Sequence, residues 1–241
     1  MLCYLLNLLR SLIMNKSVAT KKRQARTRKP QGGLPREVKM LLWLSVPVLL
    51  IVAVVMLTKA GAEPAQTVDV SRLIYPDSPV LGKTDAPVTI VEFLDPECES
   101  CRAFFPIVKD VLAQNGDNVR LVVRYFPLHN NSVLAIAATE AAGNQGKYWE
   151  MQELLFNKQS EWGEKQTPQT ALMLQYAQEL GLDGDQFAKD LSDPKIMQKI
   201  ERDNADAQAL NVRGTPSFFV NGKEVSSLSQ AALQSAIDDA K

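Results

Sequence analysis

The sequence predicts an α/β domain preceded by one transmembrane helix. Three observations lead there. Met40–Leu57 is an 18-residue run without a charge. Residues 88–126 read strand, helix, strand. Residues from about 131 to 212 contain no strand pattern, and a hairpin and a last helix follow them.

The N-terminal elements come first. As a helix, 18 residues rise about 27 Å, close to the thickness of a bilayer core. Pro47 is tolerated in such a helix. Lys16, Lys21, Lys22, Arg23, Arg26, Arg28, Lys29, Arg36 and Lys39 precede the run, and Lys59 alone follows it closely. Positive charge stays inside, so the expected topology is a basic cytoplasmic segment (1–39), a single span (40–58) in the cell inner membrane and a remainder in the periplasm or another extracytoplasmic space. "AGA" at 60–62 has the spacing of a cleavage site, but the apolar run is longer than a usual signal core, which favours an anchor. Residues 1–13 are apolar but too short to span, and Met14 opens a more ordinary start. We expect translation to begin there, which would remove Cys3. Residues 59–85 are polar with three prolines and read as a tether.

Charge divides the chain. Residues 60–241 carry 16 basic and 26 acidic residues, a formal net of −10. Phosphate backbones need a basic surface, so nucleic acid is not an expected partner of this part.

Within 86–241, "VTIVEFL" (88–94) is β-branched and apolar, a buried strand. "CRAFFPIVKDVLAQNG" has helical spacing and stops at Asn115-Gly116. "VRLVVRYF" (119–126) is a second strand, parallel to the first if the unit is βαβ. Breaks at 143–146, 163–168, 181–184 and 193–194 divide the following block into four or five helices. "SFFVNGKEV" (217–225) is a hairpin with an Asn-Gly turn. The chain ends in a helix with Ser229 as N-cap.

Cys98 and Cys101 lie where the first strand passes into the first helix. A sulfur at a helix N-terminus is favoured as thiolate, and a second one a turn later can close a disulfide with it. Cys98 is then the nucleophile in exchange and Cys101 the resolving thiol. Zinc needs about four ligands, and two thiols with the one histidine, His129, fall short unless carboxylates complete the site, so no metal is expected; without a glycine-rich phosphate loop no cofactor is expected either. His129 reads as a loop residue at a strand's end. Asp95, Glu97 and Glu99 crowd the first cysteine, and like charge raises a thiol pKa. That argues against a very strong oxidant. The expected activity is thiol–disulfide exchange with protein cysteines, and a disulfide isomerase or a reductase fed by a membrane electron donor is the alternative enzyme.

"VTIVEFLDPECESCRAFFP", the helical block and "GTPSFFVNGKEV" together resemble the DsbA-like thiol–disulfide oxidoreductases. These have a thioredoxin fold with a helical insertion, here about 131–212. "LVVRYFPLH" and "AAGNQGKYWEMQELLF" are similar to that group as well, so the resemblance covers about residues 78–241. It implies that Thr215-Pro216 is cis and lies against the CxxC pair, shaping the substrate face. It implies a buried acid at Glu92 that moves the proton of Cys101. It implies cysteine-containing protein substrates and a membrane redox partner. A peptide-binding or metal-handling module without catalysis is the alternative from another class.

Overall fold

The computed structural model describes Val68 and residues 70–241. The basic segment, Cys3, the expected start at Met14 and the apolar run 40–57 lie outside the described residues. Among the described residues no helix is long and apolar enough to cross a membrane.

Five strands form one sheet: β1 (Val80–Leu81), β2 (Val88–Leu94), β3 (Val119–Tyr125), β4 (Ser217–Val220) and β5 (Lys223–Glu224). Their spatial order is β1-β3-β2-β4-β5. β2 and β3 are parallel, with Ile90 opposite Leu121 and Glu92 opposite Val123. β1 runs antiparallel to β3, and β4 to β2. Every residue of β2 is buried, which explains a run that is apolar except at Thr89 and Glu92: both faces of a central strand are covered. Asn221 and Gly222 carry the positive φ angles of a primed hairpin turn, 46° and 83°.

Helix α1 (Glu99–Asn115) connects β2 to β3 and contains Pro106, whose ring removes one backbone donor. Six helical segments follow, where the breaks predict four or five: α2 (Ser132–Gly143), α3 (Tyr148–Asn157), α4 (Gln159–Trp162), α5 (Thr170–Glu179), α6 (Gly184–Asp190) and α7 (Pro194–Ala209). The unforeseen break is at Lys158, which has neither Gly nor Pro to announce it. There Trp162 turns inward and its indole N–H reaches the Leu155 carbonyl at 2.9 Å. Helix α8 (Gln230–Asp238) closes the chain, with the Ser229 hydroxyl accepting from the Ala232 N–H.

Three apolar clusters hold this together. One lies between α1, α8 and the sheet face bearing Val88, Ile90, Leu94, Leu121 and Val123. A second sits on the opposite face, with Val91, Phe93, Val122 and Phe219 beneath Leu73 and Ala207. The third belongs to the helical insertion, around Trp162, Met173, Tyr176 and Phe187.

The folded unit begins earlier than the expected boundary at 86. Leu73 is fully buried and β1 pairs with β3. Arg124, buried on β3, donates to the Arg72 carbonyl at 2.6 Å and pairs with Asp203 and Asp206 of α7. Tyr75 stacks near both Arg124 and Arg202, at 4.6 and 4.1 Å from its ring centre. Residues 70–85 therefore lie on the domain rather than acting as a free tether. Gly82 is required there: its φ is +103°, and a Cβ would come within 2.9 Å of the Val119 carbonyl oxygen.

Candidate active site

Strand β2 ends at Leu94, and Asp95-Pro96-Glu97 turns the chain into α1. Cys98 is the N-cap, in extended conformation with φ −70° and ψ 122°. Both cysteines are free thiols; Cys98 is half-buried and Cys101 buried. The Thr215-Pro216 peptide bond is cis, and the Cys98 thiol donates to the Thr215 carbonyl at 3.2 Å. The fold thus brings the start of β4, 117 residues further along the chain from Cys98 to Thr215, against the junction of β2 and α1.

The two thiols differ sharply. Cys98 is pulled down to about 5. The hydrogen bond from the Cys101 thiol contributes most; burial opposes it, and Thr215 and the backbone N–H groups of Cys101 and Ser100 add to it. As a thiol Cys98 donates to the Thr215 carbonyl, but as a thiolate it needs donors. The Thr215 hydroxyl, buried without another partner, is one to hand. Cys101 is pushed well above 9.0, first by burial and then by its hydrogen bond to Cys98 and the negative charge of Glu92 and Cys98.

Glu92 lies on the same face of β2 as Ile90 and Leu94, turned into the apolar cluster that contains Cys101. Burial alone pushes its carboxyl up to about 8. Among the described residues it has no hydrogen-bond partner.

The acidic crowding expected around Cys98 is not there. Asp95 and Glu97 are buried, at 0% and 2% exposure, with their carboxylates turned into the protein. Asp95 accepts from the Glu97 N–H (2.9 Å), the Leu128 N–H (2.8 Å), the Ser132 hydroxyl (2.8 Å) and His129 Nδ1 (2.6 Å). Glu97 accepts from the Asn131 N–H at 2.5 Å and the Glu164 N–H at 2.8 Å. Only Glu99 of the three is exposed. Expecting a raised Cys98 pKa from nearby carboxylates is therefore wrong for this site. The carboxylates tie the CxxC turn to the helical insertion, while backbone N–H groups and the partner thiol act on Cys98.

Sequence reasoning passed over one neighbour, Gln159, and read another, His129, only as a loop residue. Gln159, buried at the break between α3 and α4, donates from Nε2 to the carbonyls of Pro96 (2.8 Å) and Cys98 (3.1 Å). Nothing local marks it; its role appears only once the insertion is folded over the turn. His129 is held by Asp95, and its being the sole histidine was the available signal. Among the described residues no group of three or more His, Cys, Asp or Glu is placed to hold a metal.

A family model described as thioredoxin matches residues 75–239. The chain belongs to the thioredoxin family. Its thioredoxin fold resembles a thioredoxin-like oxidoreductase from Silicibacter pomeroyi DSS-3, with TM-score 0.63 and 35% identity over 72% of this chain and 98% of that one. It also resembles oxidised BdbD from Bacillus subtilis, with TM-score 0.61 and 27% identity over 73% and 96%. Alpha-DsbA1 from Wolbachia pipientis shares the fold with TM-score 0.61 at 24% identity, over 69% and 92%. Among curated sequences, the Na(+)/H(+) antiporter NhaA of Herminiimonas arsenicoxydans is 35% identical over 161 residues, 67% of this chain but 25% of the antiporter. NhaA 1 of Salinispora arenicola is 41% identical over 147 residues, 60% of this chain and 22% of that protein. The chain spans about a quarter of the length of these relatives.

Proposed function

We propose that this chain is a protein thiol–disulfide oxidoreductase that oxidises cysteine pairs, anchored by residues 40–58 with its domain outside the cytoplasm. The observation that carries the reading is the contrast between the sulfurs: a half-buried Cys98 pulled down to about 5 beside a buried Cys101 pushed well above 9.0. A thiolate stabilised in the dithiol form makes the corresponding disulfide more oxidising. This reverses the expectation against a very strong oxidant drawn from the acidic residues alone.

The exchange runs as follows. A substrate thiolate attacks Sγ of Cys98 in the enzyme disulfide. The Cys98–Cys101 bond breaks, and its electron pair leaves on Cys101. Glu92, uncharged below about 8, supplies the proton that a buried Cys101 thiolate needs. The substrate's second thiolate then attacks its own sulfur in the mixed disulfide, and Cys98 leaves as a thiolate held by its donors. The substrate is oxidised by two electrons and the enzyme is left as a dithiol. A protein oxidant, such as a membrane redox partner, must then restore the disulfide.

The reduction potential of Cys98–Cys101 in the purified chain, equilibrated in glutathione buffers, tests the direction. We expect a value nearer the about −120 mV of a strong oxidant than the about −270 mV of a reductant. A reductant-like value would overturn the proposed direction. Absence of any disulfide would overturn exchange altogether and leave a binding module. Cys98→Ser should abolish exchange, and Cys101→Ser should trap mixed disulfides visible on non-reducing gels.

A further inference from the structure

We propose that His129, oriented by Asp95, is the general base that takes the proton from an incoming substrate thiol. The inference rests on the exchange reading above. It concerns the outer sulfur, whereas Glu92 serves the inner one.

The geometry is that of an imidazole fixed at one nitrogen and open at the other. His129 Nδ1 lies 2.6 Å from Asp95 Oδ2. Asp95 is an acceptor already surrounded by three other donors, so Nδ1 carries the proton and Nε2 is left as the basic atom. Among the described residues Nε2 has no hydrogen-bond partner, and the side chain is 43% exposed. Asp95 is also the residue whose carbonyl accepts the Cys98 N–H at 3.1 Å, so a single residue links the imidazole to the nucleophilic cysteine. Leu128 and Val133, 50% and 41% exposed, flank the histidine and offer apolar contact to an unfolded segment carrying the thiol.

The charges suit the task. Burial lowers the imidazole pKa, but the Asp95 hydrogen bond and charge, and the charges of Cys98 and Glu97, outweigh it and raise the group above 6.5. Those three are the ionisable groups acting on it from the turn and from α1, and the α2 residue in the cluster, Ser132, is neutral.

In the step, Nε2 accepts the thiol proton as the substrate sulfur attacks Cys98. The S–S bond breaks, its electron pair goes to Cys101, and imidazolium returns its proton to solvent. An ordinary cysteine, with a pKa near 8.5, is only about 3% thiolate at pH 7. Help from a base can therefore speed its attack by at most about 30-fold at that pH.

The test pairs two thiols. Oxidised full-length protein is mixed with an alkyl thiol of pKa near 8.5 and, separately, with an aryl thiol of pKa below 5 that is already ionised. His129→Asn keeps an N–H to Asp95 but carries no base. At pH 7 the variant should react about 10- to 30-fold more slowly with the alkyl thiol and at the wild-type rate with the aryl thiol. The 240 nm titration of the Cys98 thiolate should rise only slightly, because Cys101, Thr215 and the backbone N–H groups still hold it. Independently of any variant, between the imidazole's pKa and the alkyl thiol's the wild-type rate with that thiol should change less with pH than its thiolate fraction does; a rate that simply tracks the thiolate fraction overturns the proposal. Equal slowing with both thiols, or slowing with neither, overturns the proposal. A wild-type protein that reacts with neither thiol overturns the exchange reading instead.

Discussion

Two buried acidic regions lie within six residues of each other and behave in opposite ways. Asp95 and Glu97 are surrounded by donors: backbone N–H groups, a hydroxyl and an imidazole. Glu92, on the strand just before them, has apolar neighbours and no hydrogen-bond partner among the described residues, and burial pushes it up to about 8. Residue type and burial are alike; the number of donors differs. With donors a buried carboxylate becomes a structural tie, and without them it is held uncharged and can carry a proton.

The largest effect should come from breaking the tie. Glu97→Ala leaves the buried Asn131 N–H without an acceptor and frees the Glu164 N–H, so the insertion loses part of its hold on the CxxC turn. We expect a loss of about 3 kcal/mol in unfolding free energy by urea titration. A loss below about 0.5 kcal/mol would mean these bonds hold nothing.

Next comes Glu92→Gln, which removes the proton carrier while keeping its shape. The sign follows from the raised pKa. Between its unfolded value of 4.5 and its folded value of about 8 the native state binds more protons than the unfolded state, so wild-type stability falls as pH rises through that window. The reduced variant should lose that slope and become the more stable protein at pH 8. Its release of Cys101 in exchange should slow by about tenfold or more. An unchanged pH slope would show that the carboxyl is hydrated rather than dry.

The smallest effect is expected at Gln159. Gln159→Leu removes two bonds, to the carbonyls of Pro96 and Cys98, costing about 1 kcal/mol. The Cys98 thiolate should still titrate near 5, because its main donors are Cys101, Thr215 and backbone N–H groups within α1. A shift in that titration would show that the insertion tunes the thiol as well as positioning the turn.

Much of the fold was legible along the chain because the relevant patterns are local. The apolar run of β2, the helical spacing after Cys98, and the Asn-Gly turn each depend on neighbours a few residues away. Strand β1 was not legible: it is two exposed residues, and its pairing with β3 is the whole reason it is a strand. The extra break at Lys158 was missed for a related reason, since packing of Trp162 rather than a breaker residue ends α3. Cys98 and Cys101 were legible as a site because their spacing and position before a helix are chemistry in themselves.

By itself the sequence determined an α/β frame, the placing of a CxxC pair at a strand-to-helix junction, and a likeness to a family in which Glu92, Thr215 and Pro216 surround that pair. Only the tertiary structure decided what the nearby charges do. An acidic residue next to a thiol in the chain acts on it only if its carboxylate faces the sulfur, and that depends on donors brought from 30 to 70 residues away. Asp95 turned to His129 and Ser132, Glu97 to Asn131 and Glu164, and Cys98 was left facing the Thr215 carbonyl, the Cys101 thiol and the open N–H groups of its own helix.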